Sequence, residues 1–192
     1  MSSSNNILSY IHVHKNAMPE YLINEWYETA SSPNWTRHIW AQPAINPKYD
    51  HMHSKQYDPE VLFADKNGMD PESVFETRSL IMKTMRSYYP DVEVNGLSDI
   101  RANRYSVGES LDNHFDHIRT VFDGTRRGIP ILSASVNLND DYTGGEFNFY
   151  QYNYKVELGR GDILVFPSVF LYGHGVLPIT SGTRYSLVAW GY

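Results

Sequence analysis

The chain contains no cysteine. Disulfide staples are therefore ruled out, and so is any zinc or iron–sulfur site built on thiolates. Basic charge is in short supply: 16 Lys and Arg stand against 22 Asp and Glu, a formal net charge of −6. A chain with that balance is a poor binder of polyanions, so nucleic acid is a disfavoured partner. Long apolar runs are missing too. The longest, Ile163 to Tyr172, contains Pro167 and is too short to cross a bilayer, so no membrane partner is expected. The opening Met1 to Asn6 has neither the basic nor the apolar region of a secretory leader, and a soluble, cytoplasmic protein is expected. No internal repeat is present. What remains, 192 residues with 41% hydrophobic and 20% charged, suits one domain (1–192) with a proper core.

Helical signals fall in the first half. Met18 to Ala30 places Leu22, Trp26 and Tyr27 at helical spacing, and Ser31-Ser32-Pro33 ends it. Asp70-Pro71-Glu72 reads as an N-cap with Pro at the first helical position, opening a helix to about Tyr88. Its expected apolar face is Phe75, Leu80, Ile81 and Met85. Between the helices, Trp35 to Trp40 alternates like a short strand, and Gln42 to Pro59 reads as loop. After Asn95-Gly96 the pattern turns extended. Strands are expected at 99–105, 131–138, 146–150, 156–158, 162–166, 174–176 and 184–190, separated by polar or Gly-rich turns. The fold class is mainly β with supporting helices, an antiparallel sandwich. Residues 1–97 form helical and loop support, and 98–192 the β core.

Two segments carry metal chemistry. His114-Phe115-Asp116 puts an imidazole and a carboxylate two apart, which on a strand places both on one face and turns Phe115 into packing. His174, in Gly173-His174-Gly175, offers a second imidazole far along the chain. Two imidazoles and one carboxylate are the ligand set of non-haem Fe(II) oxygenases. His-x-Asp alone is a weak signal, equally read as two solvated loop residues. Its neighbours give it weight: Tyr105-x-x-Gly108 before it, then Leu132 to Tyr142, Gly144-Gly145-Glu146, Gly161-Asp162, His174 and finally Arg184.

In this order of elements, from about Asp99 to Tyr192, the chain resembles the 2-oxoglutarate- and Fe(II)-dependent dioxygenases, most closely their prolyl 4-hydroxylase-like branch. The resemblance implies a double-stranded β-helix, or jelly-roll, core with the metal at its mouth. It implies Fe(II) held by His114, Asp116 and His174, with 2-oxoglutarate and O2 as cosubstrates and ascorbate as a possible support of turnover. Arg184, ten positions after His174 (184 − 174), becomes the clamp on the distal carboxylate of 2-oxoglutarate. A structural salt bridge is the alternative. We expected Pro178 to Gly182 to turn the chain so that His174 and Arg184 face one cavity from adjacent strands. Tyr105 matches a tyrosine that hydrogen-bonds the cosubstrate. Asn137 stands where the oxygen-sensing members have tyrosine and still offers an amide. Trp190 matches a pocket tryptophan, with core packing an equal account, and Ser186 shares the face of Arg184.

The implied activity is hydroxylation, with succinate and CO2 released, of a prolyl residue in a peptide or protein. A free amino acid or small metabolite, and a non-catalytic metal-binding jelly-roll that only recognises a ligand, are the alternatives. The nucleic-acid repair members of the superfamily carry a second Arg six positions after the first; here that position is Trp190. Trp35 to Asp58, with Trp40, Tyr49, His51, His53 and Tyr57, is read as a peptide lid or as an aromatic-pinned surface loop. His12-x-His14 and His51-x-His53 have no evident carboxylate and are read as surface or packing histidines. His117 is read as a neighbour of the site or as solvent-facing, and Arg126-Arg127-Gly128 as a solvated turn. Tyr152 to Tyr154 is read as a hairpin tip.

Overall fold

The structure is a computed structural model, and residues 6–30, 34–38, 58–63, 69–116 and 130–192 are described. In chain order the strands are β1 (His12–His14), β2 (Thr36–Arg37), β3 (Glu60–Phe63), β4 (Arg101–Tyr105), β5 (Leu111–His114), β6 (Leu132–Asn137) and β7 (Thr143–Gly144). There follow β8 (Phe147–Phe149), β9 (Tyr154–Val156), β10 (Ile163–Pro167), β11 (His174–Val176), β12 (Ile179–Ser181) and β13 (Arg184–Gly191). Helices α1 (Glu20–Ala30) and α2 (Pro71–Tyr88) precede the main run of strands. A large antiparallel sheet has the order β1-β10-β6-β13-β4-β3-β2. A smaller one, β5-β11-β8-β9, completes the jelly-roll, and β12 pairs with β7 apart from both.

Strand alternation divides the large sheet into two faces. Ala102, Ala134, Val136, Ile163, Val165, Leu187 and Ala189 belong to a core that also holds Leu22, Trp26, Ile81 and Met85 of the helices. The opposite face sends Tyr105, Leu164 and Phe166 into a second core with Phe147, Phe149 and Val176 of the small sheet. Apolar packing is not continuous there. Asn103, Ser133, Ser135, Asn137, Arg184 and Ser186 occupy alternate positions of three adjacent strands and are buried. Buried polar side chains on a sandwich's inner face need partners. Here most of them line the cavity between the sheets.

Both helices form where expected. Asp70 caps α2, its carboxylate accepting from the Ser73 N–H at 3.0 Å, with Pro71 at the first turn. Such a cap contributes about 1 kcal/mol. The inner face of α2 differs from the expected one. Ile81 and Met85 are fully buried, but Phe75 is 69% exposed, and Thr77 takes the inward position. The reason is helical phase: Phe75 lies about 200° round the helix from Thr77 and about 120° from Ile81. Thr77 is satisfied on the inner face by Trp26, whose indole N–H donates to its hydroxyl at 3.0 Å. Residues before 98 also supply β1, β2 and β3 to the large sheet, which goes beyond helical and loop support. His12 is held by packing, stacked on Tyr88 with ring centroids 4.4 Å apart. The pairs His51/His53 and Arg126/Arg127, and His117, lie outside the described residues, as does all of the 35–58 segment but its ends. No helix among the described residues is long and apolar enough to cross a membrane.

Candidate metal centre

β5 and β11 pair antiparallel with His114 directly opposite His174. Their rings are 4.4 Å apart between centroids. Only His114 sits on the strand. The chain leaves the ladder after it, and Asp116 lies in a bend. Strand alternation is therefore not what aims the carboxylate, and Phe115 is not packed away but 41% exposed beside the Tyr150 ring. Asp116 is aimed instead by Ser133 of β6, whose hydroxyl donates to Oδ2 at 2.6 Å. The result is convergence. His114 Nε2 stands 3.4 Å from Asp116 Oδ1, and His174 Nε2 stands 3.6 Å from Oδ2. One ligand atom from each of the three residues falls within a 4.8 Å group.

The tautomers are set by the backbone. His114 Nδ1 is 2.7 Å from the Asp112 carbonyl, and His174 Nδ1 is 2.9 Å from the Tyr172 carbonyl. A carbonyl only accepts, so each Nδ1 carries the proton and each Nε2 offers a lone pair to the shared point. Burial, partly opposed by Asp116, pushes His174 down to about 4, so it is neutral at physiological pH. Burial alone would raise Asp116, but the His174 and His114 rings and the Ser133 hydroxyl hold it well below the usual carboxylate range. Two imidazoles and one carboxylate fit Fe(II), and three donors leave coordination positions for other ligands. Gly175 permits the close pairing: a Cβ there would lie 2.6 Å from the Leu111 carbonyl oxygen.

Arg184 opens β13 in the large sheet, whereas His174 lies in the small one. The two are not on adjacent strands of a hairpin, as expected. Ile179–Ser181 leaves to pair with β7, and the chain crosses between sheets. Arg184 and the ligands thus line one cavity from opposite walls. The guanidinium is 1% exposed, and its Nε is buried without a partner. Nη1 donates to Ser186 Oγ at 3.2 Å, and the group lies over the Tyr105 ring at 5.3 Å. Among the described residues no acidic side chain pairs with it, so none of them supplies the structural salt bridge. Gly145 makes room for it, since at φ +70° a Cβ would stand 3.0 Å from Arg184 Cδ and 2.5 Å from Ile179 Cδ1.

Tyr105, Ser186 and Trp190 line the same cavity. Burial pushes the Tyr105 phenol up against the pull of Arg184 and Arg101. Asn137 is not brought there. Its amide donates to the carbonyls of Asn139 at 2.6 Å and Leu158 at 2.8 Å, and its oxygen accepts from Tyr142. Both hydrogens are committed to the backbone, so it braces the turn after β6. The sequence reading missed two residues. Ser133 orients Asp116, and Arg101 lines the cavity wall. Both were findable by strand period: Arg101 stands four before Tyr105, and Ser133 four before Asn137, each on the inward face.

The fold is similar to that of prolyl hydroxylases, and the C-terminal half is similar in sequence to the 2-oxoglutarate/Fe(II) oxygenases. Residues 100–192, just under half of the chain, match the family model described as the 2OG-Fe(II) oxygenase superfamily. Among curated relatives, a PKHD-type hydroxylase of Idiomarina loihiensis is 33% identical over 93 residues, 47% of this chain and 40% of that protein. One from Rhizorhabdus wittichii is 38% identical over 93 residues, 46% of this chain and 40% of that protein. The match thus spans about 40% of the length of these relatives. Among solved structures, a Trichoplax adhaerens prolyl hydroxylase in complex with a hypoxia inducible factor peptide fragment is similar in fold. Its TM-score is 0.71 at 15% identity, covering 96% of this chain and 84% of that one. A Pseudomonas putida prolyl-4-hydroxylase gives 0.65 at 19% identity, covering 95% and 91%. The viral collagen prolyl hydroxylase of Paramecium Bursaria Chlorella virus-1 gives 0.68 at 15%, covering 94% of each chain.

Proposed function

We propose that this chain is an Fe(II)- and 2-oxoglutarate-dependent dioxygenase that hydroxylates a prolyl residue of a peptide or protein. The observation that carries it is the pairing within one cavity of three convergent donors with a buried guanidinium that has no acidic partner among the described residues. A metal-binding recognition module has no use for an unpaired cation across from its metal, because burying a charge without a partner is costly. His114, Asp116 and His174 would hold the iron. Arg184, with Ser186 and Tyr105, would hold the distal carboxylate of 2-oxoglutarate. When bound, Fe(II) and 2-oxoglutarate supply the oxidising power: one atom of O2 enters a substrate C–H bond, and the other leaves in succinate as CO2 is lost. The protein's part is placement. Ser133 keeps the carboxylate aimed, the two backbone carbonyls hold the Nδ1 protons so that each Nε2 faces the shared point, and Phe147 and Phe166 form an apolar wall.

The prolyl peptide is supported by the fold shared with prolyl hydroxylases, one of them solved with a peptide fragment. Trp190 in place of a second Arg and the acidic balance speak against nucleic acid. The single-domain reading, with 98–192 as catalytic core, a cytoplasmic setting, a peptide lid from 35–58 and support by ascorbate are parts of the same proposal. The test is succinate release from Fe(II)-loaded protein given proline-containing peptides or free amino acids, with mass spectrometry for the gain of one oxygen atom. Release driven by peptides, with the added oxygen on proline, supports the reading. Release driven by free amino acids alone, or no release at all, overturns it.

A further inference from the structure

Arg101 is a second cation on the cavity wall, and nothing in the proposed reaction uses it. It begins β4, facing inward with Asn103 and Tyr105. Its Nη1 is 3.4 Å from His38 Nδ1, a long contact to a ring that burial and the Arg101 charge push down to about 3. His38 is therefore neutral and offers no countercharge. The guanidinium lies over the Trp190 ring at 5.2 Å, and Nε is buried with no partner. Among the described residues no carboxylate forms a salt bridge with it, and the Asp116 charge acts on it across the cavity. One hydrogen-bonding edge of a planar fork is thus left for a ligand, as it is in Arg184.

The two arginines serve different ends of the cavity. In the β4–β13 ladder, Arg184 pairs with Tyr105, and Arg101 pairs with Val188. Four residues separate them (105 − 101), about 13 Å of strand. Trp190, beneath Arg101, pairs with Ser133, which binds Asp116. Arg101 thus sits at the metal end, away from the clamp for the distal carboxylate.

We infer that Arg101, backed by Trp190 and Asn103, is a specificity residue that binds a carboxylate of the substrate beside the iron. This rests on the iron and 2-oxoglutarate reading. The acceptor is a carboxylate because that planar anion matches the side-on edge of a guanidinium.

The test uses the full chain with Fe(II) and saturating 2-oxoglutarate, without oxygen. The visible band of the loaded protein is recorded first; if wild type gives none, the oxygenase reading fails and takes this inference with it. Calorimetry then measures two matched pairs, N-acetylproline against N-acetylprolinamide and N-acetylaspartate against N-acetylasparagine. At least one acid is expected to bind about tenfold more tightly than its amide, the scale of one charged hydrogen bond. Arg101→Gln should erase that preference while 2-oxoglutarate affinity holds. With the band present, three results overturn the inference: no acid preference in wild type, a preference that survives Arg101→Gln, or weakened 2-oxoglutarate binding, which would assign Arg101 to the cosubstrate. Should Arg101→Gln fail to fold by circular dichroism, Arg101→Lys decides. A reduced preference supports the fork, and an undiminished one overturns it.

Discussion

Arg184→Met separates a cosubstrate clamp from a structural arginine, because the two roles move two measurements in opposite ways. The substitution keeps the aliphatic stem and removes the charge. In the protein without ligands, Arg184 gives up one hydrogen bond to Ser186 at 3.2 Å and its place over Tyr105, and among the described residues it leaves no carboxylate orphaned. Replacing a buried charge by a hydrophobe of similar volume is commonly neutral or stabilising. The melting midpoint of the metal-free variant should therefore match or exceed that of wild type. The loaded state responds differently. Truncating one partner of a buried charged pair costs about 2–5 kcal/mol. Taking about 3 kcal/mol, the Kd for 2-oxoglutarate rises about 150-fold. The assay is calorimetric titration of 2-oxoglutarate into anaerobic Fe(II)-loaded protein, beside thermal melts of both metal-free forms. An unchanged Kd refutes the clamp. So does a midpoint lowered by more than about 6 °C, the equivalent of about 2 kcal/mol for a domain of this size, since it would mean the charge holds the fold.

Other perturbations follow from single contacts. Ser133→Ala removes the 2.6 Å hydrogen bond that aims Asp116 and should weaken Fe(II) binding about 10- to 100-fold with little change in melting; equal affinity in a metal titration would count against this orienting role. Gly175→Ala forces a methyl to within 2.6 Å of the Leu111 carbonyl oxygen and parts β5 from β11. It should destabilise by about 2 kcal/mol and lower metal affinity as well, and a melt equal to wild type would show that the ladder yields freely. Acid acts through buried histidines. His174 and His38 titrate near 4 and 3 in the fold and near their ordinary value unfolded, so the unfolded chain takes up protons first as pH falls. Metal-free stability should be steady above about pH 6.5 and then drop, by about 2 kcal/mol per histidine at about pH 5. Denaturant midpoints flat from neutral pH to about pH 5 would contradict these two burials.

The three convergent donors were legible because each sits in a short motif whose neighbours resemble the order of a known family. Arg184 was legible by its offset from His174. What the sequence hid was which sheet each element joins. The ten-residue offset suggested a hairpin, but Ile179–Ser181 pairs with β7, and Gly144 and Gly145 provide the space. The resemblance put Asn137 in the cosubstrate pocket, yet carbonyls at Asn139 and Leu158, one of them far along the chain, consume its amide. Phe75 looked like core because it is apolar, but helical phase turns it away from the buried face of Thr77, Ile81 and Met85. β1 escaped notice because His12-Val13-His14 has little apolar signal, and it becomes a strand only by pairing with β10 and stacking on Tyr88.

The central claim is that His114, Asp116 and His174 hold one ferrous ion facing Arg184. Anaerobic titration of wild type, Asp116→Ala and His174→Ala with Fe(II) and then 2-oxoglutarate tests it most directly. Wild type should bind a single ion and develop a visible band on adding 2-oxoglutarate, while both variants melt cooperatively and show neither. Variants that bind iron as wild type does and give the same band would contradict it.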